Sequence, residues 1–329
     1  MSNPSKMSPD SETQPVPFHE ILSKNLEFDI TRRDVIVFLH IQKTGGTTFG
    51  RHLVKDLNLE QPCVCPRKRK RCDCFRPNNN EQWLFSRYST GWKCGLHADW
   101  TELNDCVEDA LNEYEGQWKK RRYLSEFRHV QRGATWKNSR HWCGGKKFSD
   151  LPLCYKGANW TGVEIDEFMN CSYNLASNRQ TRMLADLNLV GCYNATSMDP
   201  EERDRILLSS AKTNLARMAY FGLTEQQTLS QYIFEETFRL EFIIPFEQYN
   251  ATLSSLTVNE LTKEHLERIR QLNHLDVELY SFAQQLLGAR FQQLKVRDPD
   301  FHQHWNNIIN RPSNASSDSF SSPGGDTFS

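Results

Sequence analysis

The run Asp34-Val35-Ile36-Val37-Phe38-Leu39-His40, followed closely by Gly45-Gly46, constrains the fold more than any other feature of the chain. A short β-branched, apolar stretch without alternation fits a strand buried on both faces, as in a parallel sheet. Phe49, Leu53, Val54 and Leu57 then recur at helical spacing, so strand, tight glycine turn and helix follow in order. Such a turn exposes backbone N–H groups at a helix N-terminus and permits close approach, which suits phosphate or sulfate. Lys43 adds a cation, and Thr44, Thr47 and Thr48 add hydroxyl donors. The bland alternative is an ordinary strand-to-helix turn. A P-loop nucleotide triphosphatase would carry Lys directly before its last Ser/Thr at the helix start. Here Lys43-Thr44 precedes the glycines, which disfavours a magnesium-dependent Walker-type site.

The rest of the chain alternates in the same way. Asp199-Pro200-Glu201-Glu202 combines an N-cap, a first-turn Pro and an acid at the capping-box position, predicting a helix to about Met218. Ala219 to Leu223 reads as a strand, residues 225–240 as a helix, and Phe242-Ile243-Ile244 as a short extended piece. Thr257 to Glu260 reads as a capping box opening one long helix, with Leu261, Leu266, Ile269, Leu272, Leu279, Phe282 and Leu286 as its apolar stripe. Alternating strands and helices predict an α/β fold, and 329 residues with 38% hydrophobic content can bury a full core.

Ten cysteines and five Asn-x-Ser/Thr sequons, at Asn159, Asn170, Asn194, Asn250 and Asn314, suit an oxidising, glycosylating compartment. The polar stretch Met1 to Pro17 carries no visible signal, and no apolar run approaches the ~20 residues of a membrane span. The net charge of -1 conceals five consecutive cations from Arg67 to Arg71. Cys63-Val64-Cys65 and Cys72-Asp73-Cys74 flank them. Zinc sites usually space paired cysteines by at least two residues, so disulfides that pin a basic hairpin are expected, with the pairing left open. A nuclear-localisation reading of Lys68 to Arg71 is the intracellular alternative, which the sequons and cysteines oppose.

Longer motifs carry a resemblance. His40 to Leu53, Gly91 to Leu103 (with Gly95-Leu96-His97-Ala98-Asp99-Trp100), Tyr123 to Lys137 (with Ser125-Glu126-Phe127-Arg128-His129) and Asn174 to Gln180 all resemble segments of heparan-sulfate 6-O-sulfotransferases. The likeness runs over residues 34–300. It implies a single sulfotransferase-type domain there, with a parallel sheet, a P-loop-like phosphosulfate loop and flanking helices. Residues 1–33 and 301–329 are expected to be a disordered lead and tail.

The family moves a sulfuryl group from 3′-phosphoadenosine 5′-phosphosulfate to the 6-hydroxyl of glucosamine in heparan sulfate, and needs no metal. A sugar hydroxyl becomes a good nucleophile as a base takes its proton, and a neutral imidazole suits that task near pH 7. Among ten histidines the resemblance singles out His97 as base. Lys43 would stabilise charge on the departing phosphate. The donor would be held by His40, Ile41, Gln42, Lys43, Thr44, Gly45, Gly46, Thr47 and Thr48, by Ser125, and by Glu247, Gln248, Tyr249, Leu253 and Ser254. Lys70, Arg71, Arg87, Trp92, His97, His129 and Trp136 match positions that contact the sugar chain, where cations meet sulfate and Trp offers a flat face. The implied partner is heparan sulfate, with no nucleic acid. The implied place is the Golgi lumen, reached in the family through a membrane anchor that this sequence does not show.

One departure stands out. Ahead of Tyr123-Leu124-Ser125 the family carries an apolar strand and then Leu-Arg-Asp-Pro-Val-Ser, whereas this chain passes from Gln117-Trp118-Lys119-Lys120-Arg121 straight into Arg122. One core strand near 121–122, with an Arg for the donor's 3′-phosphate, is therefore expected to be lacking. Leu253 also stands where the family has Arg. The alternative expectation is a catalytically impaired form that binds heparan sulfate.

Overall fold

The computed structural model describes residues 27–42, 44–67, 69–91, 93–95, 97–115, 122–123, 143, 154, 162–246 and 260–312. Strand β1, Asp34–Val37, lies at the centre of a parallel three-stranded sheet. On one side it pairs with β2, Leu84–Phe85, through Ile36 opposite Leu84 and Val37 opposite Phe85. On the other it pairs with β3, Arg122–Tyr123, through Asp34 opposite Arg122 and Val35 opposite Tyr123. The expectation of a strand buried on both faces holds. Val35 packs with Leu103, Cys106 and Leu111 of helix α2, Trp100–Glu115. Ile36 faces the opposite layer, with Leu53 and Val54 of helix α1, Gly46–Lys55. Arg76, fully buried, donates to Ile30 O at 3.0 Å and Asp34 O at 2.6 Å, fixing the entry to β1.

The remaining helices form a bundle beside the sheet. These are α3, Ile165–Asn170; α4, Arg179–Leu184; α5, Pro200–Arg217; α6, Gln227–Phe238; α7, Lys263–Leu272; α8, His274–Arg297; and α9, Phe301–Ile309. Helix α5 starts where its sequence signal puts it, with Asp199 Oδ1 accepting from Glu201 N and Glu202 N at 3.0 and 3.2 Å. Leu207, Ala211 and Leu215 then bury against Leu275 and Leu279 of α8.

Three expectations are corrected. Ala219 to Leu223 forms no strand. Within it Leu223 N donates to Ser230 Oγ at 3.0 Å rather than to a neighbouring strand, and just ahead of it Arg290 donates to Ala216 O and Met218 O at 2.8 Å each. A cavity of about 470 Å³ lies between it and β1, lined by Phe38, Phe49, Tyr220 and Phe246 among others. Next, the long C-terminal helix is broken at Asn273. The Asn273 amide donates to Ile269 O at 2.8 Å and its Oδ1 accepts from Asn178 N at 2.9 Å, so it ends α7 and braces α4. Helix α7 is capped by Thr262, whose Oγ accepts from His265 N at 3.1 Å, while residues 257–259 lie outside those described. Finally, ordered structure continues past residue 300, because Phe301 and Trp305 of α9 pack around Tyr232. At the other end, Phe28 meets Phe238 edge-on at 5.6 Å. Phe242 makes a single antiparallel bridge to Leu57.

All ten cysteines are paired: Cys63 with Cys74, Cys65 with Cys72, Cys94 with Cys106, Cys143 with Cys192 and Cys154 with Cys171. The first two are nested around the basic run. No described helix is long and apolar enough to cross a membrane.

Candidate active site

Three pieces of chain converge at the end of β1. The first is the glycine turn. Thr44 Oγ donates to Ile41 O at 3.1 Å, and Gly45 adopts a left-handed φ of 75°, which glycine tolerates without strain. Gly45 is the N-cap of α1 and gives no side-chain cap, so the first-turn amides around Gly46, Thr47 and Thr48 are left for an external acceptor. Gly46 is required by packing, since a Cβ there would fall 2.1 Å from His40 Cδ2.

The second piece carries His97, just ahead of α2. Its ring lies 5.1 Å from that of His40, tilted by 55°. Burial, first, and the charge of Arg87 hold His40 down at about 4. Burial, His40, Arg87 and Arg179 likewise hold His97 at about 4, against a hydrogen bond to the His40 backbone. Both imidazoles are therefore neutral near pH 7, the form a base requires.

Behind His97, Asp99 and Glu102 cap α2 reciprocally. Glu102 N donates to Asp99 Oδ1 at 2.9 Å, and Asp99 N donates to Glu102 Oε2 at 3.2 Å. Burial and the neighbouring Asp99 charge push Glu102 up to about 8, while burial pushes Asp99 up to about 6. Tyr193 Oη donates to Asp99 Oδ2 at 3.4 Å. The Asp99-x-x-Glu102 spacing was a visible signal for this cap. Thr101 anchors the same turn to the bundle by accepting from Leu187 N at 2.9 Å.

The third piece is the basic hairpin. Val64 and Asp73 pair across it, and the nested disulfides close it. Arg69, Lys70 and Arg71 are exposed. Cys72 N donates to Tyr88 O at 2.7 Å, and Arg71 reaches Thr90 O at 3.5 Å. The hairpin is thus docked on the turn that holds Arg87 and leads to His97. Arg87 lies 5.0 Å over the Tyr88 ring.

The structure therefore brings together His40, Ile41, Gln42, Thr44 to Thr48, Arg71, Arg87 and His97, with Lys70 at the exposed tip. Lys43, Trp92, Ser125, His129, Trp136, Glu247, Gln248, Tyr249, Leu253 and Ser254 lie outside the described residues. One participant lies in the Asn174 to Gln180 motif but was given no site role from the sequence. Arg179, at the start of α4, donates from Nε to Gln42 Oε1 at 3.0 Å, bridging 137 positions. A cation is disfavoured at a helix N-terminus by roughly 0.3–1 kcal/mol. That start is braced by Asp276, which accepts from Gln180 N at 3.0 Å and from Thr181 N and Oγ at 2.7 Å each.

Among the described residues, Glu236, Asp298 and His304 come close enough to suggest a metal. They are engaged with one another and with Arg239 and Tyr232, on elements that carry no predicted site residue.

Comparison with known proteins bears on this arrangement. The model of the Sulfotransferase family matches residues 26–114 and 120–283. Heparan-sulfate 6-O-sulfotransferase 1-B of Danio rerio is 53% identical over 293 residues, covering 84% of this chain and 72% of that protein. Heparan-sulfate 6-O-sulfotransferase 2 of Danio rerio is 54% identical over 290 residues, covering 82% and 62%. Heparan-sulfate 6-O-sulfotransferase 3 of Mus musculus is 53% identical over 293 residues, covering 83% and 62%. The chain thus spans 62% to 72% of the length of these relatives. It belongs to the sulfotransferase family, among the heparan-sulfate 6-O-sulfotransferases.

Proposed function

We propose that the chain transfers a sulfuryl group from 3′-phosphoadenosine 5′-phosphosulfate to the 6-hydroxyl of glucosamine in heparan sulfate. The observation that carries this reading is the placement of a neutral imidazole, His97, against the uncapped glycine turn and beside a docked basic hairpin. The first-turn amides of α1 and the Thr44, Thr47 and Thr48 hydroxyls would receive the 5′-phosphosulfate, with Lys43 as counter-charge. His97 would take the hydroxyl proton as the new S–O bond forms. Lys70, Arg71 and Arg87, with Trp92, His129 and Trp136, would hold the polyanion. Ser125 and the segment of Glu247, Gln248, Tyr249, Leu253 and Ser254 would complete the donor site. The place of work would be the Golgi lumen, as the family resemblance implies, and the five disulfides suit an oxidising compartment.

A second reading is favoured by one specific feature. The sequence passes directly from Arg121 to Arg122 where the family is expected to carry a strand and the 3′-phosphate Arg, and among the described residues the strand on that side of β1 is the two-residue β3. A form with weakened donor affinity would still bind heparan sulfate through the hairpin. Incubation with labelled donor and desulfated heparin, beside a His97→Ala control, separates the two. Label incorporated by the wild type alone supports transfer. Retention on heparin with no label at any donor concentration leaves the binding reading.

A further inference from the structure

Arg179 ties the helical bundle to the residue before Lys43, yet the tie uses only its Nε, which donates to Gln42 Oε1 at 3.0 Å. The rest of the guanidinium, a planar fork of Nη groups, enters no ion pair among the described residues. The carboxylates that feel its charge, Asp99 and Glu102, are engaged in capping α2 on one another, and Asp99 also accepts from Tyr193. Cations crowd it instead. Arg182, on the same short helix, lies within its field, and the charges of Arg87 and Arg179 both act on His97. Asp276 is spent on the amides of Gln180 and Thr181. Holding Gln42 needs one neutral donor, which an amide side chain could supply without the charge. A half-buried guanidinium set among like charges is therefore not explained by the tie alone.

We propose that the Arg179 fork binds the non-bridging oxygens of the sulfuryl group during its transfer. The proposal rests on the transfer reading above and adds a catalytic residue to it. In that reading the 5′-phosphosulfate lies on the first-turn amides of α1, and the acceptor hydroxyl approaches from His97. The sulfuryl group passes between them, and Gln42, which fixes the guanidinium, sits in the connection from β1 to that turn. As the acceptor oxygen bonds to sulfur, the bridging S–O bond breaks, its electron pair leaves on the 5′-phosphate, and the hydroxyl proton passes to His97. Negative charge stays spread over the equatorial oxygens of the group in flight. A planar fork bonded to two of them fixes the in-line angle of attack. Its rigidity comes from the Gln42 bond on one side and the Asp276 brace of α4 on the other. Lys43 then serves the departing phosphate, and Arg179 the sulfuryl group. The bound sulfuryl also neutralises a cation that otherwise opposes a proton on His97.

Arg179→Gln isolates the fork, because Gln carries its amide nitrogen at the same chain position as Arg Nε and can keep the bond to Gln42. Calorimetric titration of the full chain compares 3′-phosphoadenosine 5′-phosphosulfate with the product nucleotide, 3′-phosphoadenosine 5′-phosphate, which lacks the sulfuryl group. Arg179→Gln is expected to bind the donor about tenfold more weakly than wild type and the product nucleotide within about twofold. For sulfuryl transfer it lowers kcat about a hundredfold and leaves the acceptor KM within about twofold. Arg179→Lys, which keeps the charge but not the fork, regains only part of that rate. If Arg179→Gln does not fold, Arg179→Lys gives the same comparison of the two nucleotides, with selective weakening of the donor expected again. Equal weakening of donor and product nucleotide overturns the proposal and leaves Arg179 as a clamp on Gln42. A raised acceptor KM with unchanged donor affinity overturns it too and places the cation on the sugar chain. Donor-selective loss against a wild type that transfers nothing supports the contact and overturns the transfer reading instead. A wild type that binds neither nucleotide overturns both.

Discussion

At the scale of single residues, the site depends on a fit between His40 and the absence of a side chain at Gly46. A Cβ at 46 would lie 2.1 Å from Cδ2 and 2.7 Å from Nε2 of His40, a ring already flanked by Phe38 and His97. Gly46→Ala is expected to cost about 1–3 kcal/mol in urea denaturation. Adding His40→Ala should recover part of that loss, because the clash goes with the ring. Equal losses in the single and double variants would contradict the packing account. The same two histidines give stability a pH signature. Their folded-state values of about 4 lie below the ordinary histidine value of 6.5, so the unfolded chain binds more protons between those limits. The stability they contribute is complete above pH 6.5 and is lost as pH falls toward 4. Asp99 and Glu102 are raised and act in the opposite sense, so the effect is read as a difference between proteins. The variant His40→Gln/His97→Gln should lose less stability than wild type between pH 7 and 5. An identical loss would show that these rings do not carry it.

At the scale of elements, local signals were legible and distant ones were not. The β1–turn–α1 unit and the Asp199 cap of α5 are written in a few adjacent residues, and both occur where they were read. The reading of Ala219 to Leu223 as a strand failed, and Leu223 N there is taken by the Ser230 side chain of α6 rather than by a neighbouring strand. The single long helix failed because Asn273 serves both as a stop and as a brace for α4. That brace, with Asp276, fixes the turn from which Arg179 reaches Gln42. Asp276→Ala leaves α4's first amides without their acceptor and should cost about 2–3 kcal/mol in chemical denaturation. A change within experimental error would remove Asp276 as the brace. In the hairpin, the disulfide from Cys65 to Cys72 closes a short loop under the cations. Cys65→Ser/Cys72→Ser should leave far-UV circular dichroism unchanged but elute from heparin at lower salt. Unchanged elution would mean that the outer pair, Cys63 to Cys74, suffices.

At the scale of the whole molecule, the sheet supplies the position of the site and the bundle supplies its rigidity. The pairing of His40 with His97 joins the end of β1 to the start of α2, and Arg179 adds a tie from the bundle. None of these meetings can be read from periodicity, since each depends on how layers stack. Helix α9 extends the bundle through Tyr232, Phe301 and Trp305. Truncation after residue 300 should therefore lower the thermal midpoint while leaving heparin retention unchanged, as measured by calorimetry and salt elution. The central claim is that this one domain carries out transfer to a defined oxygen. Mass-spectrometric disaccharide analysis of N-sulfated heparosan, after incubation with isotopically labelled 3′-phosphoadenosine 5′-phosphosulfate, tests it most directly. Labelled sulfate on glucosamine O6, formed by the wild type and abolished in His97→Gln, is the expected result. Label at another oxygen, or an O6 yield unaffected by His97→Gln, would contradict it.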